Sequence, residues 1–241
     1  MKMVVSKTPE LNGERVADCV EQYIKSAIEE KGSARILLST GASQFEFFEA
    51  LAKRDIDWTK VEGFHLDEYI GLPITHAASF RRYLKERFVE KTGIAKFHYI
   101  NAEMDVEGEM QQISEELAKA PIDVGVIGIG VNAHIAFNDP PADAETEAAF
   151  KIVELDATCR KQQYDEGWFE TLELVPRLAV SMTVKQILKC KAIVSCVPHA
   201  VKAQAVFDTL NSEVTNMIPS TYLKTHEDWN LFIDEAAGAL L

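Results

Sequence analysis

The stretch Arg35-Ile-Leu-Leu-Ser39, continued by Thr40-Gly-Ala-Ser43 and by a segment from Gln44 to Lys53, decides the fold. A short apolar run reads as a buried strand, four small residues with one glycine as a tight turn, and the remainder as a helix. A strand that passes through a turn into a helix is the repeating unit of a parallel sheet, because parallel neighbours need a crossover connection. Upstream, Val16, Val20, Ile24, Ala27 and Ile28 fall at helical spacing within residues 10–31, and Gly32 follows as a stop signal. Downstream, strands are predicted at Val61–Leu66, Phe97–Ile100, Val124–Ile129, Lys151–Leu155, Leu178–Ser181, Ala192–Val197 and Leu231–Asp234. Helices are predicted at Ser79–Lys91, Glu107–Ala118, Val184–Leu188 and Val201–Leu210.

Short apolar strands alternating with helices imply an α/β fold: a three-layer, doubly wound, mostly parallel sheet of Rossmann-like type. With no linker, repeat or low-complexity tract, residues 1–241 read as one domain. The chain carries 25 Lys plus Arg against 38 Asp plus Glu, a net charge of −13, which argues against a nucleic-acid or anionic-membrane surface. No apolar run approaches the ~20 residues of a membrane span, and the N-terminal stretch lacks the apolar core of a signal peptide. Cys19, Cys159, Cys190 and Cys196 are scattered, so neither a disulfide framework nor a zinc motif is expected. These features together suggest a reduced, cytoplasmic protein.

In a doubly wound sheet, ligands gather beyond the carboxyl ends of the strands. That rule singles out four segments. Ser39, Thr40, Gly41, Ala42 and Ser43 suit an anion held by backbone N–H groups, although the same residues would serve as a helix cap. Asp67 and Glu68 follow a buried strand; neighbours on extended chain point in opposite directions, so one can face a pocket while the other braces the loop. Gly128-Ile-Gly130-Val-Asn132-Ala-His134 matches the letters of a dinucleotide fingerprint. However, Asn138-Asp139-Pro140-Pro141 follows too soon for the required helix, and the glycines fit a tight turn with close backbone approach better. His134 has Asn132 and Asp139 nearby in sequence, an acid/base arrangement. Lys202 falls in the first turn of a predicted helix, where a cation is unfavourable without an anionic partner. The other histidines lack metal-ligand spacing, so no metal is expected.

Leu66-Asp-Glu-Tyr-Ile-Gly-Leu-Pro73 and His134-Ile-Ala-Phe-Asn-Asp-Pro140, with the other segments in this order, resemble the glucosamine-6-phosphate deaminase (isomerase) family, part of a wider group that includes 6-phosphogluconolactonases. The resemblance runs from about Leu37 to Asp234. It implies Asp67 as the base that shuttles a proton between C1 and C2 of an open-chain aminosugar phosphate. It implies His134 as the ring-opening imidazole, with Asp139 and Asn132 at the positions that tune it. Ser39–Ser43 and Lys202 match the phosphate grip, and Glu68 and Gly130 are counted with the substrate-binding residues. The implied reaction takes glucosamine 6-phosphate to fructose 6-phosphate and ammonia without cofactor. The partner is a small sugar phosphate, and the resemblance allows a homo-oligomer.

The chain departs from the family pattern in places. Asn132-Ala133-His134 stands where Asp-Gly-His is usual, and Asp139 where Glu is usual. The Asn makes galactosamine 6-phosphate a rival substrate. A lactonase-like hydrolase and a non-catalytic sugar-phosphate sensor are the other readings. In the lid segment at 159–169, Arg160 or Lys161 is expected to replace the family's phosphate-binding Arg, while Trp168 and Phe169 are expected to pack rather than bind. The segment Thr146–Lys151 keeps a Lys without its paired Arg, so no activation by N-acetylglucosamine 6-phosphate is expected.

Overall fold

A computed structural model describes residues 1–165 and 167–241, the Gln162 side chain excepted; Glu166, in the expected lid segment, lies outside the described residues. The strands are β1 (Lys2–Ser6), β2 (Ala34–Leu38), β3 (Val61–His65), β4 (Asp67–Tyr69), β5 (Lys96–His98), β6 (Val124–Val126), β7 (Phe150–Glu154), β8 (Leu178–Met182), β9 (Ala192–Val197) and β10 (Trp229–Asp234). The helices are α1 (Pro9–Lys31), α2 (Phe45–Leu51), α3 (Phe80–Leu84), α4 (Glu90–Thr92), α5 (Val106–Ala118), α6 (Ala157–Asp165), α7 (Val184–Ile187) and α8 (Ala203–Asn211). A π-helical turn, Lys85–Val89, joins α3 to α4.

Seven strands form the main sheet in the order β1-β10-β9-β6-β2-β3-β5. Every neighbouring pair is parallel. Alternation along β2 shows why the sheet needs cover on both faces. Leu37 points into a core with Phe64, Ile113, Leu117 and Val206. Ile36 and Leu38 point the other way, against Val16, Val20, Ile24, Phe47 and Phe88. Each such aliphatic, fully buried, contributes about 1.5–3 kcal/mol. The ends of α1 are set locally: Thr8 accepts from the Leu11 N–H, Pro9 opens the first turn, and Gly32 closes it at φ 81°.

The fold departs from the sequence expectations at four places. β1 was not anticipated; it pairs with β10 at the sheet edge, where its outer face is exposed. The Lys151–Leu155 and Leu178–Ser181 strands are not in the parallel sheet. As β7 and β8 they form a separate antiparallel sheet, in the order β4-β8-β7. β7, at the edge of this sheet, alternates between buried and more exposed positions, whereas β8, between its two neighbours, is buried from Ala179 to Met182. β6 ends at Val126, three residues earlier than expected, because the glycine-bearing segment leaves the sheet there. α6 has no apolar stripe; its described inward positions are Cys159 and Gln163, one turn apart.

Candidate active site

The four segments chosen from sequence follow β9, β6, β2 and β3, which are consecutive neighbours in the sheet. From β2 the chain moves outward to β3 and β5 on one side, and later to β6 and β9 on the other. A crevice opens at such a reversal of strand order. A cavity of about 150 Å³ lies there, bordered by Ser39–Ser43, Asp67, Gly128–Val131, His134, Trp168, His199 and Lys202.

The turn after β2 is shaped for close backbone approach. Gly41 sits at φ 104°, a conformation that L side chains disfavour. Its carbonyl accepts from the Tyr83 hydroxyl at 2.8 Å and from the Gln44 N–H at 3.0 Å. Ser39 Oγ accepts from the Gly128 N–H at 3.1 Å, tying the turns after β2 and β6 together across the crevice. Lys202 enters from the turn after β9 and is only 9% exposed.

Asp67 and Glu68 divide as extended neighbours must. β4 pairs with β8, with Asp67 opposite Ser181 and Glu68 opposite Val180. Asp67 borders the cavity while itself 6% exposed. Burial, reinforced by the adjacent Glu68 charge, pushes its carboxyl up to about 8. Glu68 does not border the cavity, which corrects its expected place among the substrate-binding residues. Its carboxylate accepts from the N–H groups of Tyr69, Phe80 and Arg81, from the Ser79 hydroxyl and from Arg81 Nε. It therefore clamps the start of α3 onto β4. Burial pushes its carboxyl up, against these donors.

The loop after β6 turns tightly: the Gly130 N–H donates to the His134 carbonyl at 2.9 Å, and the Ala133 N–H to the Gly130 carbonyl at 3.0 Å. The imidazole lies flat on Gly130, where an added Cβ would stand 2.3 Å from His134 Nε2. Gly130 thus shapes the imidazole's seat. His134 Nδ1 is 2.9 Å from Asp139 Oδ1, a close imidazole–carboxylate contact rather than an aligned hydrogen bond. The Asn132 hydrogen bonds do not go to the ring. The Asn132 amide donates to Asp139 Oδ1 at 3.1 Å and its carbonyl oxygen accepts from the His134 N–H at 3.3 Å, so it orients the imidazole through Asp139 and through the backbone. Burial pushes the Asp139 carboxyl up, but the neighbouring His134, Asn132 and Cys159 outweigh it and hold the group below its ordinary value.

Some structural supports carry no obvious sequence signal. Ser181 Oγ accepts from the Phe137 N–H at 3.1 Å, and Asn138 donates to the carbonyls of Ile135 and Met182, both at 2.9 Å. These bonds lock the His134 loop onto the strand beside Asp67. Asn138 lies within the quoted run, yet only the fold reveals its partners. Arg160 and Lys161 do not reach the cavity. Arg160 donates to the Leu172 and Val175 carbonyls, and Lys161 pairs with Asp165. Phe169 packs as expected, 5.7 Å from Tyr69, whereas Trp168 borders the cavity.

The family model described as glucosamine-6-phosphate isomerases/6-phosphogluconolactonase matches residues 7–231. A glucosamine-6-phosphate deaminase of Latilactobacillus sakei subsp. sakei (strain 23K) is 33% identical over 207 residues, 85% of this chain and 86% of the relative. A solved monomeric glucosamine-6-phosphate deaminase of the NagB superfamily superposes with a TM-score of 0.89 at 26% identity, covering 100% of both chains. The 6-phosphogluconolactonase of Thermotoga maritima shares the fold at a TM-score of 0.80 and 15% identity, covering 97% of this chain and 99% of its own. With its parallel sheet, its cavity at the strand reversal and these matches, the chain belongs to the glucosamine-6-phosphate isomerase/6-phosphogluconolactonase family.

Proposed function

We propose that this chain is a glucosamine-6-phosphate deaminase: glucosamine 6-phosphate and water give fructose 6-phosphate and ammonia. The observation that carries the reading is the placement of Asp67 and His134 on one cavity that the Ser39–Ser43 turn and Lys202 also border. The amides of residues 40–43 and the Lys202 ammonium take the phosphate, and that binding energy orients the reacting carbons. His134, seated on Gly130 and braced by Asp139, moves the proton between O1 and O5 that opens the ring. Asp67 in its ionised form abstracts the C2 proton and returns it at C1. Water then adds to the C2 iminium so formed, and ammonia leaves from the carbinolamine, giving the ketose. Residues 1–241 act as one unit in this reading, with saturation unaffected by N-acetylglucosamine 6-phosphate.

The deciding assay is ammonia release from glucosamine 6-phosphate against galactosamine 6-phosphate, with 6-phosphogluconolactone as the third substrate. Faster release from the glucosamine ester supports the reading; no release from either ester overturns it. A lactonase is the alternative reading, since the Thermotoga maritima enzyme shares this fold. It would hydrolyse the lactone with no requirement for Asp67 as a carbon base, so the Asp67→Asn protein separates the two.

A further inference from the structure

Three side chains from two segments converge behind the cavity wall: His134 and Asp139 from the loop after β6, and Cys159 from α6. One donor atom of each lies within 4.8 Å of the other two. His134 Nδ1 and Asp139 Oδ2 are both buried without an aligned hydrogen bond, although Nδ1 stands 2.9 Å from Asp139 Oδ1 and the Cys159 thiol bears on the same carboxylate. The Asp139 oxygen that accepts from Asn132 is the other one, Oδ1. Cys159 is 1% exposed. Unsatisfied buried polar atoms in a folded protein call for an explanation, and a bound ion is one.

An imidazole nitrogen, a carboxylate and a thiolate form a donor set that zinc takes tetrahedrally, at bond lengths of about 2.0–2.3 Å. Donor atoms around such an ion stand roughly 3.3–3.8 Å apart by that geometry. The three donor atoms, within 4.8 Å of one another, would have to draw in to that spacing on binding. We propose that His134, Asp139 and Cys159 form a three-ligand site for a thiophilic divalent cation, zinc foremost, and that its occupation switches the enzyme off. On binding, the Cys159 S–H bond breaks, its proton passes to solvent and the sulfur pair forms the metal bond. The His134 Nδ1 lone pair forms a second bond, leaving the ring proton on Nε2. Thiolate and carboxylate together balance the two positive charges, so no net charge is buried. A cation on Nδ1 withdraws the imidazole from proton transfer. Binding rests on the geometry alone; only the inhibition rests on the deaminase reading.

The other His-containing cluster, Glu62, His98 and Glu116, is a weaker site for such an ion. It has no thiol, and its carboxylates already pair with Arg35, Lys96 and Lys119.

The test titrates metal-free full-length protein with cadmium, read by the ultraviolet thiolate-to-cadmium charge-transfer band. In parallel, zinc is titrated against ammonia release. One cadmium per chain, a band displaced by zinc, and inhibition reversed by a chelator are expected. Cys159→Ser and Cys159→Ala should abolish the band while Cys19, Cys190 and Cys196 remain. They should also raise the zinc concentration for half-inhibition at least about ten-fold, each variant being compared with its own metal-free rate. His98→Ala should leave the band intact. No band in the wild type, or an undiminished band in both Cys159 variants, overturns the proposal. The band reports on the site even if neither aminosugar phosphate is turned over.

Discussion

Asp139 stands 2.9 Å from His134 Nδ1 and receives the Asn132 amide at 3.1 Å, while Asn132 also accepts from the His134 N–H, so the residue at 132 bears on the imidazole through its neighbour and the backbone rather than through a bond to the ring. Removing the charge at the middle position should therefore matter more than removing the amide beyond it. Asp139→Asn is expected to lower kcat about 10²-fold, the scale of an acid/base group's contribution, with KM nearly unchanged. Asn132→Ala is expected to cost less. Steady-state kinetics of both variants check the order.

Asp67 couples activity to stability through pH. A carboxyl whose folded-state pKa lies above its unfolded value stabilises the fold in its protonated form. That contribution is complete below the unfolded value near 3.8 and is lost as pH rises to about 8. Asp67→Asn should thus melt higher than wild type, by a margin that widens from pH 4 to pH 8. Because the base must be ionised, wild-type kcat/KM should rise with pH through about 8, and the variant should lose about 10²–10⁴-fold above that pH, the gap narrowing at lower pH as Asp67 of the wild type is protonated. Thermal melts and pH–rate profiles on the same two proteins test both halves.

Gly130→Ala places a Cβ where the His134 ring lies. Displacing the imidazole from its seat should lower kcat at least about ten-fold, since misplacement of about 1 Å is enough to cost that much or more. The overpacking should cost about 1–3 kcal/mol in denaturant unfolding. A variant with wild-type kcat would show that the ring does not need this seat.

Glu68→Ala removes the acceptor for the start of α3 and the partner of buried Arg81. Breaking such a pair from one side costs about 3–5 kcal/mol. The loss should appear as a lower denaturant midpoint.

Lys202→Ala should raise KM for the sugar phosphate by about 10- to 100-fold, the equivalent of one charge-assisted hydrogen bond of about 1.5–3 kcal/mol. kcat should change less. Weakened inhibition by inorganic phosphate in the same variant would place the effect at the phosphate.

The chemistry-bearing residues were legible because each lies at the end of a strand with a strong local pattern. The apolar run ending at Leu38 announces the turn at Ser39–Ser43, and the run ending at Leu66 announces Asp67. The lid was not legible. In α6 the buried pair is one free cysteine and one glutamine, Cys159 and Gln163, so no aliphatic or aromatic period marks the helix. Arg160 and Lys161 looked equally able to reach a phosphate until the carbonyls of Leu172 and Val175 and the Asp165 carboxylate were seen to hold them.

The sequence by itself determined the alternation of strands and helices, the family, and the segments Ser39–Ser43, Asp67, Gly130–His134 and Lys202 that meet at the cavity, because hydrophobic period, turn chemistry and short motifs are properties of neighbours along the chain. Tertiary structure alone decided that β4 joins β8 in a second sheet, that Glu68 turns inward while Asp67 faces the cavity, that Asn132 serves Asp139, and that Cys159 meets His134. Each of these depends on which donor, acceptor or strand edge a distant or folded-back segment brings within a few ångströms, and no local pattern encodes that distance.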